Sequence, residues 1–345
     1  MTRTTTAPAG RTRSPGRSAR RRLGVGVACL VSTAAVLSGC ALGTAGGYVP
    51  TGELGSDLEG IADLEGVEIT VGSKNFNENV ILGKMAIILM SAAGADVTDL
   101  TNIPGSAAAR QAHLVGEIDA MWEYTGTGWI TYLGETEPVQ GEQEQYEAVR
   151  DADLEQNDLV WLPPAPMNNT YAFAMNPEVT EQLGITTLSQ IQDLPVEERT
   201  FCVESEFTNR ADGLPGMLET YGIPLEDPQG VPESNLRTYQ TGAIYDATAK
   251  GECNFGEVFT TDGRILALDL TVLEDDQSYF PQYNVSLVVR EELIEEHPEI
   301  EDLMAPVTEE LTDEVLQELN ARVDVDGEEP ADVAFDWLQE QGFVQ

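Results

Sequence analysis

Val67-Glu68-Ile69-Thr70-Val71-Gly72 alternates apolar with polar residues and ends in glycine, the pattern of a half-buried strand that stops at a turn. Just beyond it, Asn77 to Ala93 carries Val80, Ile81, Met85, Ile88 and Leu89 at helical spacing. A strand that feeds a helix is the opening unit of an α/β fold, and the rest of the chain repeats it. Gly105-Ser106 opens a second helix through Leu114, with Ser106 as its cap. Glu117 to Trp122 is a short strand running into Glu123-Tyr-Thr-Gly-Thr-Gly-Trp129. Leu159 to Leu162 and Thr170 to Met175 are strands on either side of a proline-rich connection. The alternation continues through Thr200–Val203, Gly213–Tyr221, Tyr239–Lys250 and Asn254–Phe259.

Ile265 to Leu270 is expected to be a strand that returns the chain to its first lobe. A strand from Tyr283 to Val289 follows, then helices near Glu291–Leu303, Thr312–Val323 and Pro330–Gln341. This order predicts a mostly parallel sheet in each of two lobes, one discontinuous and one inserted. The expected boundaries are 66–165 with 270–345 for lobe 1 and 166–269 for lobe 2.

Ahead of the fold, seven arginines without an acidic residue precede an uncharged apolar run from Leu23 to Leu37. That order is an export signal, too short to serve as a membrane span. Leu37-Ser38-Gly39-Cys40 resembles a bacterial lipobox. Residues 1–39 are therefore expected to be removed, Cys40 to carry lipid, and residues 40–65, rich in Gly, Ala and Thr and then acidic, to form a stalk. Whether export is general or twin-arginine, through Arg20-Arg21-Arg22, stays open.

The chain has 18 basic and 60 acidic residues; losing the seven leader arginines leaves 11 basic against 60 acidic, a net charge of −49. Such a surface repels nucleic acid and anionic headgroups and argues against either as partner. Of four cysteines, Cys29 leaves with the signal and Cys40 takes the lipid. Cys202 and Cys253 remain in an oxidising compartment, where a disulfide is expected and two buried free thiols are the alternative.

No catalytic constellation is present. The two histidines, His113 and His297, lie far apart in helical patterns. There is no Gly-x-Ser-x-Gly, phosphate loop or His-Glu-x-x-His. Asp324-Val-Asp326-Gly327 places its glycine too early for a calcium loop. No cofactor, no metal and no enzymatic activity are expected. What stands out is aromatic residues at strand ends: Trp122, Tyr124, Trp129, Trp161, Tyr171, Phe259, Tyr279, Phe280 and Tyr283. Their faces attract a cation, best a quaternary ammonium that cannot hydrogen-bond; plain packing is the competing reading for Trp161, Tyr279 and Phe280.

Six segments then occur in one family's order: Ile69-Thr-Val-Gly-Ser-Lys-Asn-Phe76, Glu123-Tyr-Thr-Gly-Thr127, Asn168-Asn-Thr-Tyr-Ala172, Asn209-Arg-Ala-Asp-Gly-Leu-Pro-Gly216, Thr261-Asp-Gly-Arg-Ile265 and Tyr279-Phe-Pro-Gln-Tyr283. Across essentially the whole mature domain the chain resembles the substrate-binding proteins of glycine betaine/choline-type ABC transporters. The resemblance implies a two-lobed periplasmic-binding-protein fold of type II that closes on ligand about a hinge. It implies Tyr124, Tyr171 and Tyr283 as walls of an aromatic box. Phe259 stands where relatives usually have tyrosine, so a hydroxyl is missing there. Lys74, Thr127 and Arg210 match positions that hold a ligand carboxylate, and Asn169 one near the ammonium. The expected ligand is a small quaternary-ammonium solute, glycine betaine first, with proline betaine, carnitine or choline as alternatives. The expected partners are a permease with its ATPase and the membrane through the lipid alone, the protein being a monomer. An enzyme on this fold, and a lipid-anchored sensor that has lost solute binding, are the readings from other classes.

Overall fold

In a computed structural model, residues 47–56, 58–135, 139, 141–210 and 212–345 are described. The expected export signal, Cys40 and residues 41–46 lie outside them. The stalk expected over 40–65 is corrected for its later part: Leu58 and Leu64 are fully buried in the core, and Glu53 and Gly55 bond to Gln345 and Phe343, so these residues belong to the folded lobe.

The chain runs β1 (Glu68–Lys74), α1 (Asn77–Ala92), β2 (Asp96–Ile103), α2 (Ser106–Leu114), β3 (Ala120–Tyr124), α3 (Glu142–Asn157) and β4 (Leu159–Trp161). It continues with β5 (Tyr171–Met175), α4 (Pro177–Leu183), β6 (Phe201–Glu204), α5 (Leu214–Thr220), β7 (Leu236–Tyr239), α6 (Thr241–Ala249), β8 (Phe255–Phe259), α7 (Arg264–Ala267) and β9 (Thr271–Val272). It closes with β10 (Val285–Arg290), α8 (Glu291–Glu296), α9 (Glu299–Glu310), α10 (Asp313–Asp324) and α11 (Pro330–Glu340).

Two five-stranded sheets result, ordered β2-β1-β3-β10-β4 and β7-β6-β8-β5-β9. In each, three neighbouring strands pair in parallel and one strand is reversed: β10 lies antiparallel between β3 and β4, and β5 antiparallel between β8 and β9. Four of the five strands in each sheet therefore point the same way, and the reversed strand is the one by which the chain enters that sheet from the other. These are the two lobes of an α/β fold.

α1 is the central helix of the first lobe. Its apolar residues run round the helix, from Ile81 and Leu82 to Leu89 and Met90, and all are buried, between the sheet and the C-terminal helices. A helix that is apolar on every face has this position by necessity. Its one interior cation, Lys84, is buried but salt-bridged to Asp99.

Three further local expectations are corrected. Residues 265–270 are not a strand: Asp262 turns the chain by accepting the Arg264 N–H at 2.9 Å, and Arg264–Ala267 becomes a short helix. The expected return at residue 270 also moves, because β9 pairs with Ala174 and Met175 of the second sheet. The chain stays against that sheet through Tyr279, whose hydroxyl donates to Gly213 O at 3.1 Å, and rejoins the first sheet only at β10. The helix expected over 291–303 is two helices, broken at His297-Pro298, as proline disfavours a helical residue before it. Strands β2, β7 and β9 and helices α3 and α4 carry no clear periodicity and are added by the structure.

Cys202 on β6 and Cys253 just before β8 form a disulfide with a Cα–Cα distance of 5.8 Å. It ties neighbouring parallel strands of the second sheet.

Candidate functional site

A cavity of about 330 Å³ lies between the two sheets, and all eight expected ligand-binding residues, Lys74, Tyr124, Thr127, Asn169, Tyr171, Arg210, Phe259 and Tyr283, line it. Lys74 and Tyr124 stand at the ends of β1 and β3 in the first lobe; Tyr171 and Phe259 stand opposite each other on β5 and β8 in the second.

The aromatic wall is continuous. The Tyr171 ring is 5.1 Å from Phe259 and 5.5 Å, edge-on, from Tyr283. Phe76 then joins the lobes, 6.1 Å from Phe259 and 5.9 Å from Tyr124. Phe76 is a fifth wall that the sequence reading did not assign, although it ends the first family segment beside Lys74. The remaining aromatics serve packing. Trp122 is fully buried in the core, Trp161 and Trp129 form a separate apolar cluster, and Phe280 lies behind Tyr171 at 6.1 Å.

Two glycines of the Glu123–Trp129 segment explain its composition. A Cβ on Gly126 would lie 2.7 Å from the Tyr283 ring, and one on Gly128 would lie 2.6 Å from Trp161. Only glycine lets this backbone pass close enough to present Thr127 at the cavity, at the start of a π-helical turn over Thr127–Tyr132. Such turns recur at functional sites.

Each cation is held by carboxylates. Lys74 Nζ donates to Glu123 Oε1 at 2.5 Å and lies 4.7 Å from the Tyr124 ring centre. Glu123 is itself fixed by the Tyr132 hydroxyl on its other oxygen, at 2.5 Å. Arg210 holds Asp212 side-on, through Nε at 2.8 Å and Nη2 at 2.5 Å, and its guanidinium carbon is 5.5 Å from the Tyr171 ring. Asp212 also accepts the Tyr283 hydroxyl at 2.5 Å. Arg210 Nη1 donates to Glu206 Oε1 at 3.3 Å, and the same oxygen accepts from Ser106 Oγ across the cleft at 2.8 Å. Ser106, expected as a helix cap, is the first residue of α2 and uses its hydroxyl here instead.

Glu78 is a hub at the junction of the lobes. Its oxygens accept from the Tyr124 hydroxyl at 2.7 Å, Asn169 Nδ2 at 2.7 Å, Thr261 Oγ1 at 2.5 Å and Asn320 Nδ2 at 2.8 Å. Burial raises its pKa, and the four donors oppose that shift. Asn169 is thereby oriented by its amide nitrogen, and its Oδ1 is left without a hydrogen-bond partner among the described residues. Burial, and then the Glu78 charge, pushes the Tyr124 phenol well above its ordinary range, so it stays a neutral donor.

Residues 67–340 match the family described as the substrate binding domain of ABC-type glycine betaine transport systems. The chain belongs to this family. Its members are binding domains rather than enzymes, and they work with an ABC permease and its ATPase on the extracytoplasmic side. The chain is 38% identical over 289 residues to the glycine-betaine-binding protein of Pseudomonas aeruginosa, covering 81% of this chain and 89% of that one. It is 32% identical to the glycine betaine-binding protein YehZ of Escherichia coli K12, over 80% of this chain and 92% of that protein. Among solved structures, a glycine betaine/carnitine/choline ABC transporter protein aligns with a TM-score of 0.66 at 27% identity, over 80% of this chain and 99% of that one. Among the described residues no helix is long and apolar enough to cross a membrane.

Proposed function

We propose that this protein captures glycine betaine, or a closely related quaternary-ammonium zwitterion, in the cleft between its lobes and presents it to an ABC permease. The observation that carries this reading is the five-membered aromatic wall of Phe76, Tyr124, Tyr171, Phe259 and Tyr283, with Lys74 and Arg210 bordering the same cavity. The trimethylammonium group sits against the rings, each face contributing roughly 0.5–2 kcal/mol, and Asn169 Oδ1 faces its positive charge. Lys74, Thr127 and Arg210 receive the carboxylate. Contacts from both lobes make closure and binding one event, and a dissociation constant in the micromolar range, about 8 kcal/mol, follows from faces offset by lost freedom.

A second reading, choline as the preferred solute, is favoured by one feature: Lys74 and Arg210 are already paired with Glu123 and Asp212. Titration calorimetry with glycine betaine, choline, carnitine and proline betaine separates the two. Betaine is expected to bind more tightly than choline, and Arg210→Ala to weaken betaine by about tenfold or more, as for loss of one charge-assisted bond. Tighter binding of choline, with betaine unaffected by Arg210→Ala, transfers the assignment to choline.

We also propose that the folded domain is monomeric and anchored through lipid on Cys40. Cys40→Ser is expected to move the protein from the membrane to the soluble fraction, since it removes the proposed site of the lipid tether. A variant that remains wholly membrane-bound refutes the anchor.

A further inference from the structure

Arg210 divides its donors unequally. Nε and Nη2 are committed to Asp212, whose side chain is 1% exposed. Nη1 is the end not tied to Asp212, and it reaches Glu206 Oε1 at 3.3 Å. Glu206 is a different kind of partner. Its side chain is 36% exposed at the cavity edge, and its bond to Arg210 is longer than either bond to Asp212. Exposed, long ion pairs contribute little and exchange easily.

The other bond of Glu206 gives it meaning. Its Oε1 also accepts the Ser106 hydroxyl from the opposite lobe at 2.8 Å. One carboxylate oxygen thus receives a donor from each side of the cleft. That is the bonding a captured carboxylate needs in order to draw the lobes together.

We infer that Glu206 is a specificity-determining residue: its carboxylate stands in for the ligand carboxylate between Arg210 Nη1 and Ser106, and a zwitterionic solute must displace it. The inference rests on the reading of the cleft as a quaternary-ammonium site. A betaine exchanges one carboxylate for another and gains only the difference between them. Choline has no carboxylate, so Glu206 stays in place between Arg210 and Ser106 and its charge favours the cation. Glu206 therefore narrows the preference for betaine over choline.

The test is calorimetry of glycine betaine and choline with the parent protein, Glu206→Gln and Glu204→Gln. Glu206→Gln is expected to tighten betaine about tenfold and to leave choline unchanged or weaker, raising the selectivity ratio by about tenfold or more. Glu204→Gln alters a second carboxyl group on the same cavity wall, one that takes no part in the Arg210–Ser106 bridge; its ratio is expected to move by less than about twofold. Glu206 is exposed enough that the substitution is expected to leave the melting temperature near the parent's. A ratio unchanged or lowered in Glu206→Gln, or raised equally in Glu204→Gln, overturns the inference while leaving the function intact. A parent protein that binds neither solute overturns the functional reading and the inference with it.

Discussion

Tyr171 is where the aromatic cage meets a quantitative test. Its ring touches Phe259 at 5.1 Å, Tyr283 at 5.5 Å and, on the side away from the cavity, Phe207 at 4.7 Å. Tyr171→Ala removes one face from the bound ammonium, worth roughly 1–2 kcal/mol, or about five- to thirty-fold in dissociation constant. Tyr171→Phe keeps the face and is expected to stay within about twofold of the parent. Truncating a buried aromatic also costs about 3–5 kcal/mol of stability, which could lower apparent binding through the unfolded fraction alone. Phe207→Ala is the control: Phe207 is completely buried and packs against Tyr171, yet does not line the cavity. It is expected to cost similar stability and little affinity. Calorimetry at a temperature where melting curves show every variant folded makes the comparison, with stoichiometry reporting the active fraction. Tyr171→Ala binding betaine like the parent, or Phe207→Ala weakening it equally, refutes the cage.

Other expectations concern the second sheet. Glu257 on β8 is 1% exposed; its Oε2 accepts the Glu204 N–H at 2.7 Å, and its Oε1 has no partner among the described residues. Burial raises its pKa from 4.5 to about 8, so between those values the folded state keeps a proton that the unfolded chain has released. This contribution to stability is complete below about pH 4.5 and is lost as pH rises through about 8. Glu257→Gln cannot ionise, so in urea unfolding its advantage over the parent is expected to grow from pH 5 to pH 8; parallel profiles would exclude the effect. The disulfide closes a span of 51 residues, for which chain entropy gives about 4 kcal/mol. Replacing Cys202 and Cys253 by alanine is expected to lower unfolding free energy by that order, and a loss below about 1 kcal/mol would contradict the entropic account.

Short-range patterns carried the part of the fold that is legible residue by residue. Alternation in Val67–Gly72 and helical spacing in Asn77–Ala93 announce β1 and α1 because side-chain direction follows backbone period locally. Aromatics at strand ends are legible too, but of these Tyr124, Tyr171, Phe259 and Tyr283 line the cavity, whereas Trp122, Trp129, Trp161 and Phe280 pack elsewhere. The weakly patterned elements β2, α3 and β7 were illegible, since their residues are selected by neighbours rather than by period. Residues 265–270 misled because a short apolar run reads alike as strand or helix, and a single Asp262 side chain tips it into a turn.

Which carboxylates matter became visible with the packing of the two lobes. With 60 acidic residues, no local rule singles out Glu78, Glu123, Glu206 or Asp212. Arg210 is near Asp212 and Glu206 in sequence, but the partners that tie these carboxylates to the rest of the cleft are remote: Tyr283 is 71 residues from Asp212, Ser106 is 100 from Glu206, and Asn320 is 242 from Glu78. A buried charge survives only where donors converge on it in space, and convergence over such separations exists only once the two lobes have folded and met.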